Sequence, residues 1–131
     1  MSPVTYANPP SIATPLGSYS HVSRAGDLVI VAGQVGVASD GKVADDFEEQ
    51  VRLTFQNLSN ALESEGLGLS NVLKFTTYLI STDDITPFYE ARNKFFPSLF
   101  PSGQFPPNTL LVVNRLVYPE LRLEIEAIAH A

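Results

Sequence analysis

The clearest pattern in the chain is an alternation of apolar and polar side chains near its end. Residues 121–129 read Leu-Arg-Leu-Glu-Ile-Glu-Ala-Ile-Ala. A period of two predicts a β-strand with one apolar face toward a core. The opposite face carries three charged residues, Arg122, Glu124 and Glu126. We therefore expect that face to meet water, a partner chain or a ligand.

A second pattern, between residues 46 and 65, has the period of an α-helix. Five apolar side chains recur at spacings of three or four residues and form one stripe: Phe47, Val51, Phe55, Leu58 and Leu62. Asp45 and Glu48 have the spacing of a capping box, and Gly66 stands where a glycine ends a helix. These positions predict an amphipathic helix over residues 46–65.

Other apolar runs predict further strands. Residues 28–33 are continuously apolar and β-branched, which is typical of a strand buried on both faces. The Ala-Gly-Asp sequence before it predicts a turn, which follows a short predicted strand over residues 18–24. Residues 72–80 and 109–116 are also predicted strands. In the first of these, alternation places four side chains on one face: Leu73, Phe75, Thr77 and Leu79.

A second helix is predicted over residues 85–96, with Pro87 in its first turn and Pro97 ending it. The order of elements then predicts an α+β fold with one mixed β-sheet and two helices on one face. The helices leave the other face of the sheet open, so a second subunit is expected to cover it. Residues 1–131 are expected to form a single domain, with residues 1–18 as an extended N-terminal arm or loop.

Composition narrows the classes of function. The net charge is −6 and only 8 residues are Lys or Arg, without a basic run, which disfavours binding to a nucleic acid backbone. No stretch of about 18 apolar residues predicts a membrane span. The beginning of the chain lacks a basic region followed by an apolar one, so a cytoplasmic protein is expected.

Several kinds of catalytic site are also disfavoured. The chain has no cysteine, which excludes disulfides and thiolate nucleophiles. His21 and His130 do not have the spacing of a metal-ligand pair, so no metal site is predicted. No Gly-rich phosphate loop is present, and no cofactor is expected.

Short motifs follow one another along the chain in a fixed order. They are Pro-Leu-Gly-Ser-Tyr-Ser at 15–20, Val-Ala-Gly-Gln-Val at 31–35, Val-Leu-Lys-Phe-Thr-Thr-Tyr at 72–78 and Glu-Ile-Glu-Ala-Ile-Ala at 124–129. Their order and spacing resemble those of RidA/YjgF-type proteins, the enamine/imine deaminase family. The resemblance implies a chorismate-mutase-like fold, a homotrimer, and clefts between subunits that bind a small metabolite.

The same resemblance implies which residues form the site. Glu124 matches the cleft carboxylate, Tyr19 the cleft tyrosine and Gly33 the glycine whose backbone contacts the ligand. Asn108 takes the position at which deaminases of the family carry an arginine for the substrate carboxylate. The resemblance therefore implies Glu124 as the catalytic residue, with Tyr19, Gly33 and Asn108 as ligand-binding residues.

Simpler interpretations of these residues are also open. Glu124 could form a surface or interface ion pair with Arg122, Tyr19 could anchor a loop, and Asn108 could cap a turn. Arg92 and Arg115 are the two cations that could replace the missing arginine.

Two functions follow from this pattern. One is an enzyme that hydrolyses an imine, enamine or related C–N bond, with activity on carboxylate-bearing imines in doubt because Asn108 carries no charge. The other is a non-catalytic homotrimer that binds a small ligand or a partner protein.

Overall fold

A computed structural model describes residues 3–131. Six strands form one sheet: β1 (Thr5–Ala7), β2 (Val22–Ala25), β3 (Leu28–Val35), β4 (Val72–Leu79), β5 (Asn108–Val112) and β6 (Leu123–His130). Their spatial order is β1-β2-β3-β6-β4-β5, in which only the β4/β5 pair is parallel. Two helices, α1 (Phe47–Glu63) and α2 (Ile85–Leu99), complete the fold. The predicted mixed sheet with two helices is confirmed.

The core lies between the helices and one face of the sheet. The five apolar side chains of the predicted α1 stripe are buried, and so is the whole apolar face of the last strand: Leu121, Leu123, Ile125, Ala127 and Ala129. Helix α1 contacts β3, β6 and α2. Burial of each large apolar side chain stabilises the fold by about 1.5–3 kcal/mol, so this two-layer contact is the main source of stability.

Two details of the helices differ from expectation. Asp46, and not Asp45, caps α1, because its side chain accepts a hydrogen bond from the backbone N–H of Glu49 at 3.1 Å. Pro97 does not end α2, which continues to Leu99. A proline inside a helix removes one backbone N–H donor and crowds the previous turn, so it weakens the helix without always ending it. Here the helix extends only two residues beyond Pro97. Gly66 follows α1 with φ of 72°, as the sequence indicated.

Two predicted strand faces were also wrong. Strand β3 is buried on one face only: Val29 and Val31 are inaccessible to solvent, whereas Leu28 and Ile30 are 43% and 39% exposed in the single chain. Because the helices cover only one side of the sheet, the side chains along its central strands alternate between buried and exposed. In β4 a register shift after Val72 turns Leu73 to solvent.

Strand bounds also differ at the ends. The hairpin turn at Gly26 is present, with φ of 60°, but β2 is shorter than the predicted strand over residues 18–24. Strand β5 ends at Val112 instead of residue 116, and β6 begins at Leu123 instead of residue 121. Within the expected N-terminal arm, β1 adds an edge strand beside β2.

Candidate functional site

Gly33 and Glu124 come together where β3 and β6 pair. The register between these strands shifts between Val31 and Gln34, and Val35 then stands opposite Glu124. The Glu124 side chain lies directly over Gly33: a Cβ atom at position 33 would overlap its Oε2 and would be 2.7 Å from its Cδ. The absence of a side chain at Gly33 therefore permits this close approach of a carboxylate to the backbone.

The Glu124 carboxylate is half-buried and has no cation beside it. Burial raises its pKa above the ordinary 4.5, and the neighbouring charge of Glu126 raises it further. Among residues 3–131 no Lys or Arg forms an ion pair with Glu124. Both effects favour the neutral acid, so this carboxyl group exchanges a proton closer to neutral pH than an exposed one does.

Arg122 does not pair with Glu124 within the chain, so Arg122 was the wrong partner for that carboxylate. Its guanidinium donates to Asp84 at 2.6 Å and 3.3 Å and lies 4.6 Å from the centre of the Phe47 ring. Asp84 precedes α2 and is buried, so the arginine supplies the counter-charge that this carboxylate needs. Arg122 therefore turns toward the helix layer and leaves the face that carries Glu124.

Glu126, two residues further on the same face, has a partner of its own. The Tyr78 hydroxyl donates to its Oε1 at 2.5 Å, and this hydrogen bond raises the pKa of Tyr78. Among residues 3–131 no side chain donates a hydrogen bond to Glu124. The two carboxylates on β6 are thus chemically distinct, and Glu124 is the one whose oxygens are open to a ligand or a water molecule.

Tyr19 borders the same cleft and packs against His21, which is held by a short network of hydrogen bonds. Its ring is perpendicular to the His21 ring, with centroids 5.9 Å apart. Buried His21 donates from Nε2 to the Ala13 carbonyl at 2.8 Å and accepts at Nδ1 from Gln34 at 3.1 Å. These bonds fix the orientation of the His21 ring, so it acts as a rigid support for Tyr19.

These groups line one open cleft of about 850 Å³ beside β3 and β6. We call it the Glu124 cleft. It brings together three of the four predicted site residues, Tyr19, Gly33 and Glu124. Residues of the loop before β6, Val117 and Tyr118, close another side. Its walls are largely apolar with a few polar groups, as in small-molecule sites.

Asn108 lies elsewhere in the chain. It is the first residue of β5, opposite Phe75 in β4, and its Oδ1 accepts from the Thr77 hydroxyl at 2.8 Å. Phe75 and Thr77 point toward the helices. Tyr78 and Glu124, which stand opposite each other in the β4/β6 register, point the other way. Within one chain, Asn108 and Glu124 are thus on opposite faces of the sheet. Asn108 borders a second cleft of about 880 Å³.

The two alternative cations differ in their surroundings. Arg115 donates to the carbonyls of Leu116 and Val117 in its own loop, at 3.0 Å and 3.1 Å. Arg92 borders the second cleft together with Asn108. In the part of the chain that the structure describes, no group of three His, Asp or Glu residues could hold a metal ion. No helix of residues 3–131 is long and apolar enough to cross a membrane.

The fold and the Glu124 cleft define a small α+β protein of the chorismate-mutase-like type. The family model described as Endoribonuclease L-PSP matches residues 10–131. The chain belongs to this family, that of the RidA/YjgF proteins.

Relatives with related names are similar over most of their length. A RutC family protein of Pyrococcus horikoshii is 30% identical over 118 residues, which cover 88% of this chain and 89% of that protein. A 2-iminobutanoate/2-iminopropanoate deaminase of Dermatophagoides farinae is 25% identical over 128 residues, with 92% and 100% covered.

Solved structures show the same fold. Escherichia coli TdcF with bound serine superposes with a TM-score of 0.89 at 25% identity and covers 97% of this chain and 98% of its own. The YjgF gene product of Escherichia coli gives a TM-score of 0.88 at 25% identity, with 96% and 98% covered.

The support from His21 and Gln34 was not predicted, although the pairing of β2 with β3 indicates the position of His21. The Ala-Gly-Asp turn fixes the β2/β3 register, in which Val22 stands opposite Val31. Extending that register by one residue places His21 beside Ala32, whose N–H donates to the His21 carbonyl at 2.8 Å.

Proposed function

We propose that this protein hydrolyses an imine or enamine of a small metabolite, with Glu124 as the group that orients and activates water. The observation that carries the proposal is a half-buried carboxylate with a raised pKa, held over the Gly33 backbone and free of any cation in residues 3–131. The name of the mite relative, an iminobutanoate deaminase, supports the same reaction class.

The chemistry requires one group that moves a proton in both directions. Water adds to the C=N carbon while the Glu124 carboxylate accepts a proton from it. The resulting carboxylic acid gives that proton to the nitrogen, which forms a carbinolamine. The carboxylate then carries the hydroxyl proton of the carbinolamine to the nitrogen, the C–N bond breaks, and ammonia and a carbonyl compound leave. A raised pKa suits both roles, because it makes the carboxylate a stronger base than an exposed one and brings its proton exchange closer to neutral pH.

We propose further that the complete site lies between subunits of a homotrimer. Asn108 and Glu124 face opposite sides of the sheet in one chain, so only a neighbouring subunit could bring an Asn108 to the Glu124 cleft. The helix-free face also exposes apolar side chains that a second subunit would cover: Leu28, Ile30, Leu111 and Ile128.

The proposed site favours neutral or cationic substrates over anions. If Asn108 stands at the position of the family's arginine, the site loses a charged, bidentate contact to a carboxylate. Such a contact is worth about 1.5–3 kcal/mol, or about ten- to a hundredfold in binding. Glu124 itself repels anions when it is ionised.

The description of the family model names a ribonuclease, but the charges of this chain support a small-molecule substrate instead. The net charge is −6, and four of the eight basic side chains form ion pairs with carboxylates. A phosphate backbone would therefore meet few unpaired cations.

The experiment compares two imines that differ in one group. Oxidation of an amino acid by an amino-acid oxidase supplies 2-iminopropanoate, and oxidation of the corresponding amino-acid amide supplies the uncharged imine. Hydrolysis of each imine is followed by ammonia release, and capture with semicarbazide reports the imine that remains. We expect the wild type to accelerate hydrolysis of the amide and to act weakly on the carboxylate. Asn108→Arg should raise the rate on the carboxylate by about tenfold or more.

Two results would change the proposal. Hydrolysis of neither imine above the uncatalysed rate would favour the non-catalytic trimer that binds a ligand. Rapid wild-type hydrolysis of the carboxylate, unaffected by Asn108→Arg, would mean that another cation takes the role of the arginine.

A further inference from the structure

Two segments of the chain form separate walls of the Glu124 cleft. The first, which we call the arm wall, spans residues 12–19 and carries Tyr19. The second, which we call the β3 wall, spans residues 32–35 and contains Gly33, directly under the Glu124 carboxylate. The two walls have different roles in the proposed site, because Tyr19 borders the space for a ligand and Gly33 makes room for the carboxylate.

His21 is hydrogen-bonded to both walls. Its Nε2 donates to the Ala13 carbonyl at 2.8 Å, and a carbonyl oxygen can only accept. On the other side of the ring, the side-chain nitrogen of Gln34 donates to Nδ1 at 3.1 Å and to the Ala32 carbonyl at 3.1 Å. The buried imidazole ring therefore bridges the arm wall and the β3 wall through one bond that it donates and one that it accepts.

The arm wall depends on this bridge. Ile12 is buried in the core and anchors its start, whereas residues 16–19 are exposed in the single chain. The Tyr19 N–H donates to the Gly17 carbonyl at 2.9 Å, which is a bond within the wall. Among residues 3–131, the bond from His21 to Ala13 is the one hydrogen bond that ties residues 13–19 to a residue outside the wall. The position of Tyr19 is thus set mainly by His21, whose ring it also contacts.

The β3 wall depends on His21 through Gln34. The β3/β6 register shifts between Val31 and Gln34, so Ala32 and Gly33 lie where the strand pairing is irregular. Such irregular positions re-aim the side chains around them. Gln34 is 3% exposed and fixes this segment with its bonds to Ala32 and His21. Loss of the His21 bond would loosen the backbone over which the Glu124 carboxylate lies.

We propose that His21 is a positioning residue of the Glu124 cleft. It holds Tyr19 in place through Ala13, which acts on substrate affinity, and it holds Gly33 in place through Gln34, which acts on the catalytic carboxylate. The inference rests on the proposed function, since it concerns the support of that same site. Groups held in advance in the productive geometry lower the entropic cost of reaching the transition state, so each of the two bonds should have its own kinetic effect.

Two conservative variants separate the two bonds. His21→Asn places an amide oxygen near the position of Nδ1, so it keeps the bond from Gln34 and loses the bond to Ala13. His21→Gln places an amide nitrogen near the position of Nε2, so it keeps the bond to Ala13 and releases Gln34. A third variant, His21→Phe, keeps a ring beside Tyr19 and removes both bonds.

The first measurement is steady-state hydrolysis of the amide imine. His21→Asn should raise KM by about two- to tenfold with little change in kcat, the effect expected for one neutral hydrogen bond that supports binding. His21→Gln should lower kcat by about the same factor with little change in KM. His21→Phe should show both changes. Equal effects of the Asn and Gln variants, or wild-type kinetics of His21→Phe, would overturn the proposal and leave His21 with a packing role.

The second measurement needs no activity, so it separates a failure of this proposal from a failure of the proposed hydrolysis. Backbone NMR order parameters of residues 14–19 should fall from about 0.85 toward about 0.6 in His21→Asn, while those of Gly33 and Gln34 stay unchanged. His21→Gln should show the reverse. This pattern in a protein that hydrolyses neither imine would support the role of His21 in shaping the cleft and refute only the hydrolysis. Order parameters that match the wild type in both variants would overturn the proposal.

Discussion

Glu124 couples the chemistry of the site to the stability of the protein. Burial and the charge of Glu126 raise its native pKa above 4.5, so the unfolded chain releases this proton at a lower pH than the native one. The group therefore stabilises the fold at low pH, and that stabilisation is lost as the pH rises through the native pKa. At neutral pH the ionised Glu124 lowers the free energy of unfolding, and the proposed site retains it for its reactivity.

Replacing this carboxyl group should make the protein more stable at neutral pH. Glu124→Gln keeps the shape of the side chain and removes the charge, so its free energy of unfolding should exceed that of the wild type at pH 7 and approach it below pH 4.5. Urea denaturation at both pH values measures the difference. Glu63→Gln, at the exposed end of α1, is the matched control for loss of one negative charge. A wild type more stable than Glu124→Gln at pH 7 would mean that a cation pairs with Glu124 in the assembled protein.

Helix α1 gives a test at the scale of an element, because two neighbouring aspartates precede it. Asp46 accepts a hydrogen bond from the first turn and Asp45 does not. Asp46→Ala should lower the free energy of unfolding by about 1 kcal/mol, within the range of about 0.5–2 kcal/mol for lost caps. Asp45→Ala should change it by less than about 0.5 kcal/mol. Chemical denaturation of both variants would contradict this assignment if Asp45→Ala had the larger effect.

The elements also show which parts of the fold the sequence predicts. Strand β6 and the α1 stripe were predictable because each faces a single core with a regular period. The exposure of Leu28 and Ile30 was not, because a continuous apolar run does not reveal whether the second face is covered within the chain or by a partner. The turn of Leu73 to solvent arises from a register shift, which depends on pairing with β6 and not on β4 alone.

The candidate site was predictable to a similar extent. The motif resemblance located Tyr19, Gly33 and Glu124, which the fold brings into one cleft. It also pointed to Asn108, but neither the motif nor its spacing shows that Asn108 and Glu124 face opposite sides of the sheet. The partner of Arg122 was missed because Asp84 lies 38 residues away in the sequence and the contact is purely tertiary.

The whole molecule is expected to be a homotrimer, with the helix-free face of the sheet at its interfaces. Sedimentation and light scattering should give about three times the 14.2 kDa mass of the chain. Ile128→Lys adds a charge beside Ile30 on that face and should dissociate the trimer, whereas Gln56→Lys on the exposed side of α1 should not. A wild type that stays monomeric at micromolar concentration would exclude the proposed cleft between subunits.

The most direct measurement of the proposed activity compares the two carboxylates of β6 in one assay. Glu124→Gln should lower kcat/KM for hydrolysis of the amide imine by about 100- to 10,000-fold, the usual contribution of a general acid–base group. Glu126→Gln, whose amide oxygen can still accept from Tyr78, should retain a rate within a few-fold of the wild type. Equal rates for Glu124→Gln and the wild type would contradict the assignment of Glu124 as the catalytic residue.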